Sequence, residues 1–317
     1  MWGVLVHIPD GMLDSKTWIT AWAGSAGVLG FAVREVRRKL TDSKLVLMAV
    51  LAALIFALQM LNFPVAGGTS GHFAGGAAAA IILGPWPAVL VMSCVLIVQA
   101  LMFADGGITA LGANMVNMAI VGPFIGWWLY TMLTRASASR GRRTVAAFVS
   151  AWAGCFFAAL SAGLMLWISG RVPLGAALGA MGFWHAIIGV GEGLITAGLV
   201  SYLLSVRPDL LDASAETRKV SMWPVTATLG ITALVAAGLS FLASSHPDGL
   251  EFVYFEKGLG AKFAEKTLVN SPMPDYVLPG IGNESLAGIL AGVVGLVITG
   301  ALLYAAVSAV RTRRANA

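Results

Sequence analysis

Histidines are the side chains of this sequence best suited to chemistry, and two of the four lie in unusual segments. His7 belongs to VHIPDG at residues 6–11, where a proline stiffens the chain. His72 belongs to GGTSGHFAGG at residues 67–76, whose five glycines permit close approaches that other residues do not. Neutral imidazole binds nickel, cobalt, copper and zinc. Metal binding by His7 and His72 is therefore one hypothesis, and an ordinary structural role for each is the other.

A second group of polar residues lies within apolar sequence. His185 and Glu192 are seven residues apart, so they share one face of a helix. Ionisable groups inside a bilayer are costly and usually face a cavity or a polar partner. A structural polar pair, a brace for metal ligands and part of a metal pathway all remain open for these two residues. Asp105, Asn114 and Asn117 can brace a loop as readily as they can touch a substrate.

The composition decides which elements position these residues. Hydrophobic residues make up 58% of the 317-residue chain and charged residues only 11%, which excludes a soluble globular protein. Apolar runs between breakers predict an all-α polytopic membrane protein with about nine membrane segments. The segments lie near residues 16–33, 44–61, 73–84, 86–103, 113–133, 144–168, 177–205, 223–243 and 285–310. The third is too short to cross as a straight helix and is predicted to be a buried half-helix that opens just after His72.

Lysine and arginine in the connecting segments predict the orientation. If all nine segments alternate from an outside N-terminus, 15 of the 20 basic residues fall on the inner side. We therefore expect the N-terminus outside, the C-terminus in the cytoplasm, and the polar segment from Ser244 to Asn283 outside. The net charge of +5 follows from these short basic segments, so no nucleic-acid partner is expected.

Several catalytic motifs are absent from the sequence. It contains no G-x-x-x-x-G-K-[ST] stretch, so we do not expect the chain itself to hydrolyse ATP. It contains neither an H-E-x-x-H helix nor a G-x-S-x-G elbow. Cys94 and Cys155 lie inside apolar segments, where small packing residues are the simpler interpretation. The sequence thus favours a transport function over an enzyme.

Several separated motifs together resemble the nickel/cobalt-specific substrate-binding (S) components of energy-coupling factor transporters, of the NikM/CbiM type. The matching stretches are HIPDG at 7–11, GTSGH at 68–72, FADGG at 103–107 with LGAN at 111–114, and HAIIGVGE at 185–192. A later part is similar to a NikN-type accessory component, with PDGLE at 247–251 and SPMPDY at 271–276. The expected organisation is a seven-segment metal-binding component at 1–205, a cytoplasmic linker at 206–222 and a two-helix accessory component at 223–317.

The resemblance implies a function and a set of partners. Such S components capture Ni²⁺ or Co²⁺ outside the cell inner membrane, while a separate transmembrane coupling (T) component and two cytoplasmic ATPases supply the work. Metal would be held by His7, by His72 and by an N-terminal amine, with Asp10, Asn114, His185 and Glu192 supporting these ligands. Five residues precede Val6. We therefore expect translation to begin at Val6, read as methionine, because only then does the amine directly precede His7.

Two other functions remain open on the sequence alone. A secondary metal carrier driven by protons or sodium would use His185 and Glu192 as its relay. An intramembrane enzyme would use the same two residues around a metal, although their spacing matches no hydrolase motif. Nickel and cobalt are both compatible with nitrogen ligands, and the accessory component favours nickel.

Overall fold

The fold is known from a computed structural model that describes residues 7–65, 69–135, 139–211, 222–244, 246, 248–251 and 268–315. Val6, most of the expected linker and part of the PDGLE motif lie outside the described residues. The helices are α1 (Ser15–Lys39), α2 (Asp42–Gln59), α3 (Gly76–Leu83), α4 (Pro85–Met102), α5 (Leu111–Asn114), α6 (Gly122–Thr134), α7 (Arg140–Ile168), α8 (Leu174–Val206), α9 (Trp223–Gly238), α10 (Gly249–Glu251) and α11 (Glu284–Ala315).

All nine predicted apolar segments fall on helices, which confirms an all-α polytopic membrane protein. Within the described residues, six helical stretches are long and apolar enough to cross a membrane. They are Asp42–Gln59, Pro85–Met102, Leu111–Thr134, Arg140–Ile168, Leu174–Val206 and Glu284–Val310. The helix α9 is apolar but has only 16 residues. The number of crossings and the orientation remain predictions.

The region around His72 differs from the prediction. The sequence indicated a helix that opens just after His72, but α3 begins at Gly76. Before it stands an antiparallel pair that was not predicted, β1 (Phe63–Val65) and β2 (Thr69–Gly71), with Phe63 opposite Gly71. The helix starts late because Gly75, with φ of 78°, adopts a left-handed conformation that favours glycine. His72 therefore lies on an extended segment rather than on a helix.

The short helix α3 is enclosed by other helices. All eight of its residues are buried. A Cβ atom on Gly126 of α6 would come within 2.5 Å of the Cβ of Ala77, and one on Gly154 of α7 within 2.8 Å of the carbonyl oxygen of Gly122. These glycines let α6 and α7 approach closely. The structure therefore confirms that this short helix is buried, as predicted.

The accessory helices pack directly on the N-terminal helices. A Cβ atom on Gly295 of α11 would overlap the ring of Phe56 in α2, and one on Gly292 would lie 2.9 Å from Cε of Met60. One buried hydrophobic cluster contains side chains from both parts, including Phe56, Leu229 and Leu296. The two sequence units thus share a core. The backbone nitrogen of Ser244, beyond α9, donates to the Asn62 carbonyl beyond α2, and that of Met273, before α11, donates to the Met102 carbonyl at the end of α4.

The predicted orientation can be tested by cysteine labelling. We expect Asn270→Cys to react with a membrane-impermeant maleimide in intact cells, because the segment from Ser244 to Asn283 is predicted to be outside. Ser205→Cys, at the predicted cytoplasmic end of α8, should react only after the membrane is opened. Both positions are exposed, and the native cysteines are buried, so background labelling should be low. The opposite labelling pattern would reverse the topology.

Candidate metal site

The segment that carries His7 is held by a side chain of α5. Asn114 accepts a hydrogen bond from the backbone nitrogen of Ile8 at 3.1 Å and donates one from Nδ2 to the Ile8 carbonyl at 3.1 Å. The backbone nitrogen of Gly107 donates to the same carbonyl at 3.0 Å. Asn114 thus pairs with the chain as a neighbouring strand would, and it fixes the backbone next to His7.

Asp10 fastens the other end of the same segment. Its carboxylate accepts hydrogen bonds from the backbone nitrogens of Ile108 at 3.1 Å and Thr109 at 2.7 Å, and from the Thr109 hydroxyl. A Cβ atom on Gly107 would lie 2.2 Å from the Asp10 nitrogen, so a residue with a side chain cannot stand there without displacing the segment. The expected supporting roles of Asp10 and Asn114 therefore have a geometric basis.

His7 itself contacts a buried carboxylate. Its Nδ1 lies 2.9 Å from Oδ1 of Asp105, in the loop between α4 and α5. Its Nε2 is buried and has no hydrogen-bond partner among the described residues. Burial alone would raise the pKa of Asp105, but the facing His7 and the hydrogen bonds from His7 and Tyr276 hold that pKa below its usual range. The carboxylate therefore stays ionised and orients the imidazole.

Glu192 supports the segment that carries His72. Its carboxylate, projecting from α8, accepts hydrogen bonds from the backbone nitrogens of Ala74 at 2.7 Å and Gly75 at 2.9 Å. These bonds satisfy donors at the start of α3. Burial, reinforced by the nearby His7, lowers the pKa of His72 to about 3. At neutral pH the His72 ring is therefore uncharged, which is the form that binds a metal ion.

The two histidines face each other although 65 positions separate them in the chain. Their ring centres are 6.0 Å apart, with an angle of 64° between the ring planes. Both rings line a cavity of about 80 Å³, together with Asn114, Asn117 and His185. The structure thus brings both predicted ligands and two of the predicted supporting residues to one cavity.

His185 and Glu192 have different surroundings in spite of their shared helix face. Nδ1 of His185 lies 2.9 Å from the Met181 carbonyl one turn earlier in α8, and His185 lines the cavity. Glu192 instead binds the backbone before α3. Within the described part of the chain, no three His, Cys, Asp or Glu side chains are grouped so that they could hold a metal ion.

Residues of the accessory segment form one wall of the cavity, a contact that the sequence did not predict. Asp248 forms a parallel bridge with Ser70 of β2, and the Ser70 hydroxyl donates to the His246 carbonyl at 2.8 Å. Asp248, Gly249 and Leu250 line the cavity. A Cβ atom on Gly249 would lie 3.1 Å from Cε1 of His185, so this glycine permits the close approach. In the sequence, only the PDGLE motif marked this segment, and the motif does not indicate which distant residues it contacts.

Comparisons with known proteins agree with this architecture. The family described as the cobalt uptake substrate-specific transmembrane region (CbiM) matches residues 7–210, and the PDGLE domain family matches residues 222–312. The "Putative fused nickel transport protein NikMN" of Archaeoglobus fulgidus is 42% identical over 97% of this chain and 100% of its own length. The fused nickel transport protein NikMN of Rhodobacter capsulatus is 34% identical over 98% of this chain and 100% of its own length.

A solved structure shares the fold. The crystal structure of a transition metal transporter is 32% identical and superposes with a TM-score of 0.59, covering 67% of this chain and 99% of that one. The helices and the histidine-lined cavity thus define a multi-pass membrane protein of the metal transport class. Within that class, the chain belongs to the family of cobalt uptake substrate-specific transmembrane regions, with a PDGLE domain in the same polypeptide.

Asn114→Ala should weaken metal binding without changing a ligand. The substitution leaves the nitrogen of Ile8 buried without its partner, at a cost of roughly 1–3 kcal/mol, and frees the backbone beside His7. We expect an increase of about 10-fold in the Kd for Ni²⁺ in a calorimetric titration of purified protein. The matched control is Asn270→Ala, because Asn270 is exposed. Equal affinity of both variants and the unaltered protein would contradict the bracing role.

Proposed function

We propose that this chain is the substrate-capturing subunit of an energy-coupling factor transporter in the cell inner membrane and binds Ni²⁺ or Co²⁺ as its cargo. His7 and His72 are the proposed side-chain ligands on the outward side. The observation that carries the proposal is the convergence of two imidazoles at 6.0 Å, with the buried Nε2 of His7 lacking a hydrogen-bond partner among the described residues. A buried polar atom without a partner requires an explanation, and a metal ion bound there supplies one.

The spacing of the rings suits one ion between them. Bonds from imidazole nitrogens to such metals are about 2.0–2.1 Å long, so an ion and its two bonds span roughly 4 Å. Since the ring centres are 6.0 Å apart, one ion and its two bonds fit between the rings. Nitrogen ligands suit nickel and cobalt, whereas magnesium and calcium prefer oxygen. The nickel transport proteins with a fused accessory part favour nickel as the cargo.

The proposal includes two further nitrogen ligands, an N-terminal amine and the backbone nitrogen of His7. If translation begins at Val6, its amine and the backbone nitrogen of His7 can bind the same ion. A chelate that includes this backbone nitrogen closes through Nδ1, which here contacts Asp105. That binding mode requires the His7 ring to turn over, whereas binding through Nε2 leaves the Asp105 contact in place. Val6 lies outside the described residues, so this part of the ligand set rests on the family resemblance.

In the proposal, the ATP hydrolysis that drives metal uptake takes place in separate subunits. A coupling (T) component and two cytoplasmic ATPases are the proposed partners, in line with a sequence that has no nucleotide-binding P-loop. A gradient-driven carrier would use His185 and Glu192 as a proton relay. Both carboxylate oxygens of Glu192 instead accept hydrogen bonds from backbone nitrogens, which favours a structural role.

Replacement of His72 has a matched control in the same chain. His72→Ala should abolish high-affinity Ni²⁺ binding, a larger effect than the roughly 10–100-fold that follows loss of an outer partner. His246→Ala should bind as the unaltered protein does, because His246 is exposed. Calorimetry with Ni²⁺ and Co²⁺ chlorides measures both, with gel filtration as the test of folding. Full affinity in a folded His72→Ala protein would remove His72 from the site.

Reconstituted uptake tests the proposed energy source. Vesicles that contain this chain together with the T component and both ATPases should accumulate ⁶³Ni²⁺ only when ATP is present on the cytoplasmic side. Vesicles with this chain alone should show none, with or without a proton or sodium gradient. Uptake driven by a gradient in the chain alone would contradict the proposal and support the carrier.

A further inference from the structure

The only two glutamines of the sequence, Gln59 and Gln99, bond to each other inside the helix bundle. Gln59 is the last residue of α2 and Gln99 lies near the end of α4, and both are buried. Gln99 donates from Nε2 to Oε1 of Gln59 at 2.7 Å, and Gln59 donates from its own Nε2 to the Ala74 carbonyl at 2.8 Å. Amides are costly to bury among apolar helices unless they are hydrogen-bonded, so a buried pair requires an explanation.

The Ala74 carbonyl determines the orientation of both amides. A backbone carbonyl can only accept a hydrogen bond, so Gln59 must present its NH₂ group to Ala74. The amide oxygen of Gln59 is then directed to α4, where it accepts from the NH₂ group of Gln99. The two amides therefore form a directed link from α4 through α2 to Ala74, here called the glutamine link. A side chain that lacks a donor breaks this link at either position.

One end of the glutamine link holds the segment that carries His72. Ala74 stands two residues after His72 and directly before Gly75, where the chain turns into α3. Its carbonyl accepts from Gln59, while its backbone nitrogen donates to Glu192 at 2.7 Å. Side chains of two different helices, α2 and α8, thus bind both polar backbone groups of Ala74. They fix the direction in which the chain continues after His72.

The other end of the link holds the loop that packs on His7. The backbone nitrogen of Asp105 donates to the Gln99 carbonyl at 3.1 Å. Between them the chain passes through Ala104, whose φ of 57° is unusual for a residue with a side chain and persists where surrounding contacts impose it. A Cβ atom on Gly106, in the same loop, would lie 2.9 Å from Cβ of His7. Gln99 therefore anchors the loop against which the His7 side chain packs.

We propose that Gln59 and Gln99 are positioning residues for metal binding, which set the separation of the two segments that carry His7 and His72. The inference rests on the proposed function, because it takes both histidines as ligands. It holds for either ring nitrogen of His7 as the ligand atom, since the glutamine link acts on the backbone of the two segments. Two imidazoles on one ion tolerate little change in their separation, because each bond to the metal is about 2.0–2.1 Å long.

Gln59→Leu removes the donor to Ala74 and keeps a side chain of similar size. We expect the Kd for Ni²⁺, added as the chloride to the purified full-length protein, to rise by about 10-fold in calorimetry, as for loss of an outer partner of a metal ligand. Gln99→Leu breaks the same link from α4 and should have a similar effect. Gel filtration checks folding, and Gln59→Met, which also lacks a donor, replaces Gln59→Leu if the latter does not fold.

Thr299→Val is the matched control for both glutamine variants. Thr299 is fully buried in α11, its hydroxyl has no hydrogen-bond partner among the described residues, and valine keeps its shape. The Kd of Thr299→Val should equal that of the unaltered protein. An unchanged Kd in either folded glutamine variant, or an equal rise in Thr299→Val, would overturn the inference.

The absorption spectrum of the bound ion separates positioning from general loosening of the fold. The ligand-field bands of Ni²⁺ depend on the arrangement of its ligands. At saturating Ni²⁺, these bands should shift in Gln59→Leu and remain unshifted in Thr299→Val. A protein that is only less stable would bind less metal with an unchanged spectrum. Unshifted bands in Gln59→Leu would therefore contradict the inference.

A double-mutant cycle tests whether the two glutamines act as one link. The Gln99 amide acts on Ala74 by way of Gln59, so Gln99→Leu should cause no further loss of Ni²⁺ affinity in a Gln59→Leu background. Losses that add would mean two independent effects and would overturn the inference. His72→Ala in the same titrations identifies which proposal fails. If only His72→Ala loses affinity, the proposed function stands and the inference falls, whereas full affinity in His72→Ala overturns the proposed function itself.

Discussion

The buried carboxylate of Asp105 is the constraint on which the arrangement of the candidate site depends. Its residue is 4% exposed, and an ionised carboxylate at such a place is destabilising unless its oxygens are bound. One oxygen contacts His7, 98 positions earlier, and the other accepts from Tyr276, 171 positions later. Three distant parts of the chain must therefore meet for the carboxylate to be satisfied. The same contacts that make its burial tolerable also aim the imidazole of His7 at the cavity.

Glu192 plays a comparable part for the second histidine. Its two oxygens bind the backbone nitrogens of Ala74 and Gly75, where the extended segment turns into α3. These bonds hold the segment that carries His72 outside the helix, and the positive φ of Gly75 at its end favours glycine there. Asp105 thus positions His7, and Glu192 positions the segment of His72. Among the described residues, neither carboxylate forms a three-membered metal-binding group with the two histidines.

The accessory part contributes Asp248, Gly249 and Leu250 to the lining of the cavity. Gly249 packs against His185, and Asp248 pairs with Ser70 at the edge of the hairpin. Tyr276 contacts the same site through Asp105. A separate polypeptide with the same residues would have to dock before these contacts existed, whereas fusion in one chain raises their effective concentration. The shared hydrophobic cluster with Phe56 gives that docking a firm base.

The sequence by itself determined the membrane class and the approximate places of nine apolar segments, and it led to His7 and His72 as candidate ligands. Apolar length and glycine content are local properties, so they can be read directly from the order of residues. Asn114, His185 and Glu192 were recognisable as polar residues in apolar sequence, and Asp10 as part of the HIPDG motif, but their partners were not. The hairpin before α3, the separate partners of His185 and Glu192, and the contact of Tyr276 with Asp105 were decided only by tertiary structure. These features depend on hydrogen bonds and close contacts between residues far apart in the chain, and no periodicity in the sequence records which distant residues meet.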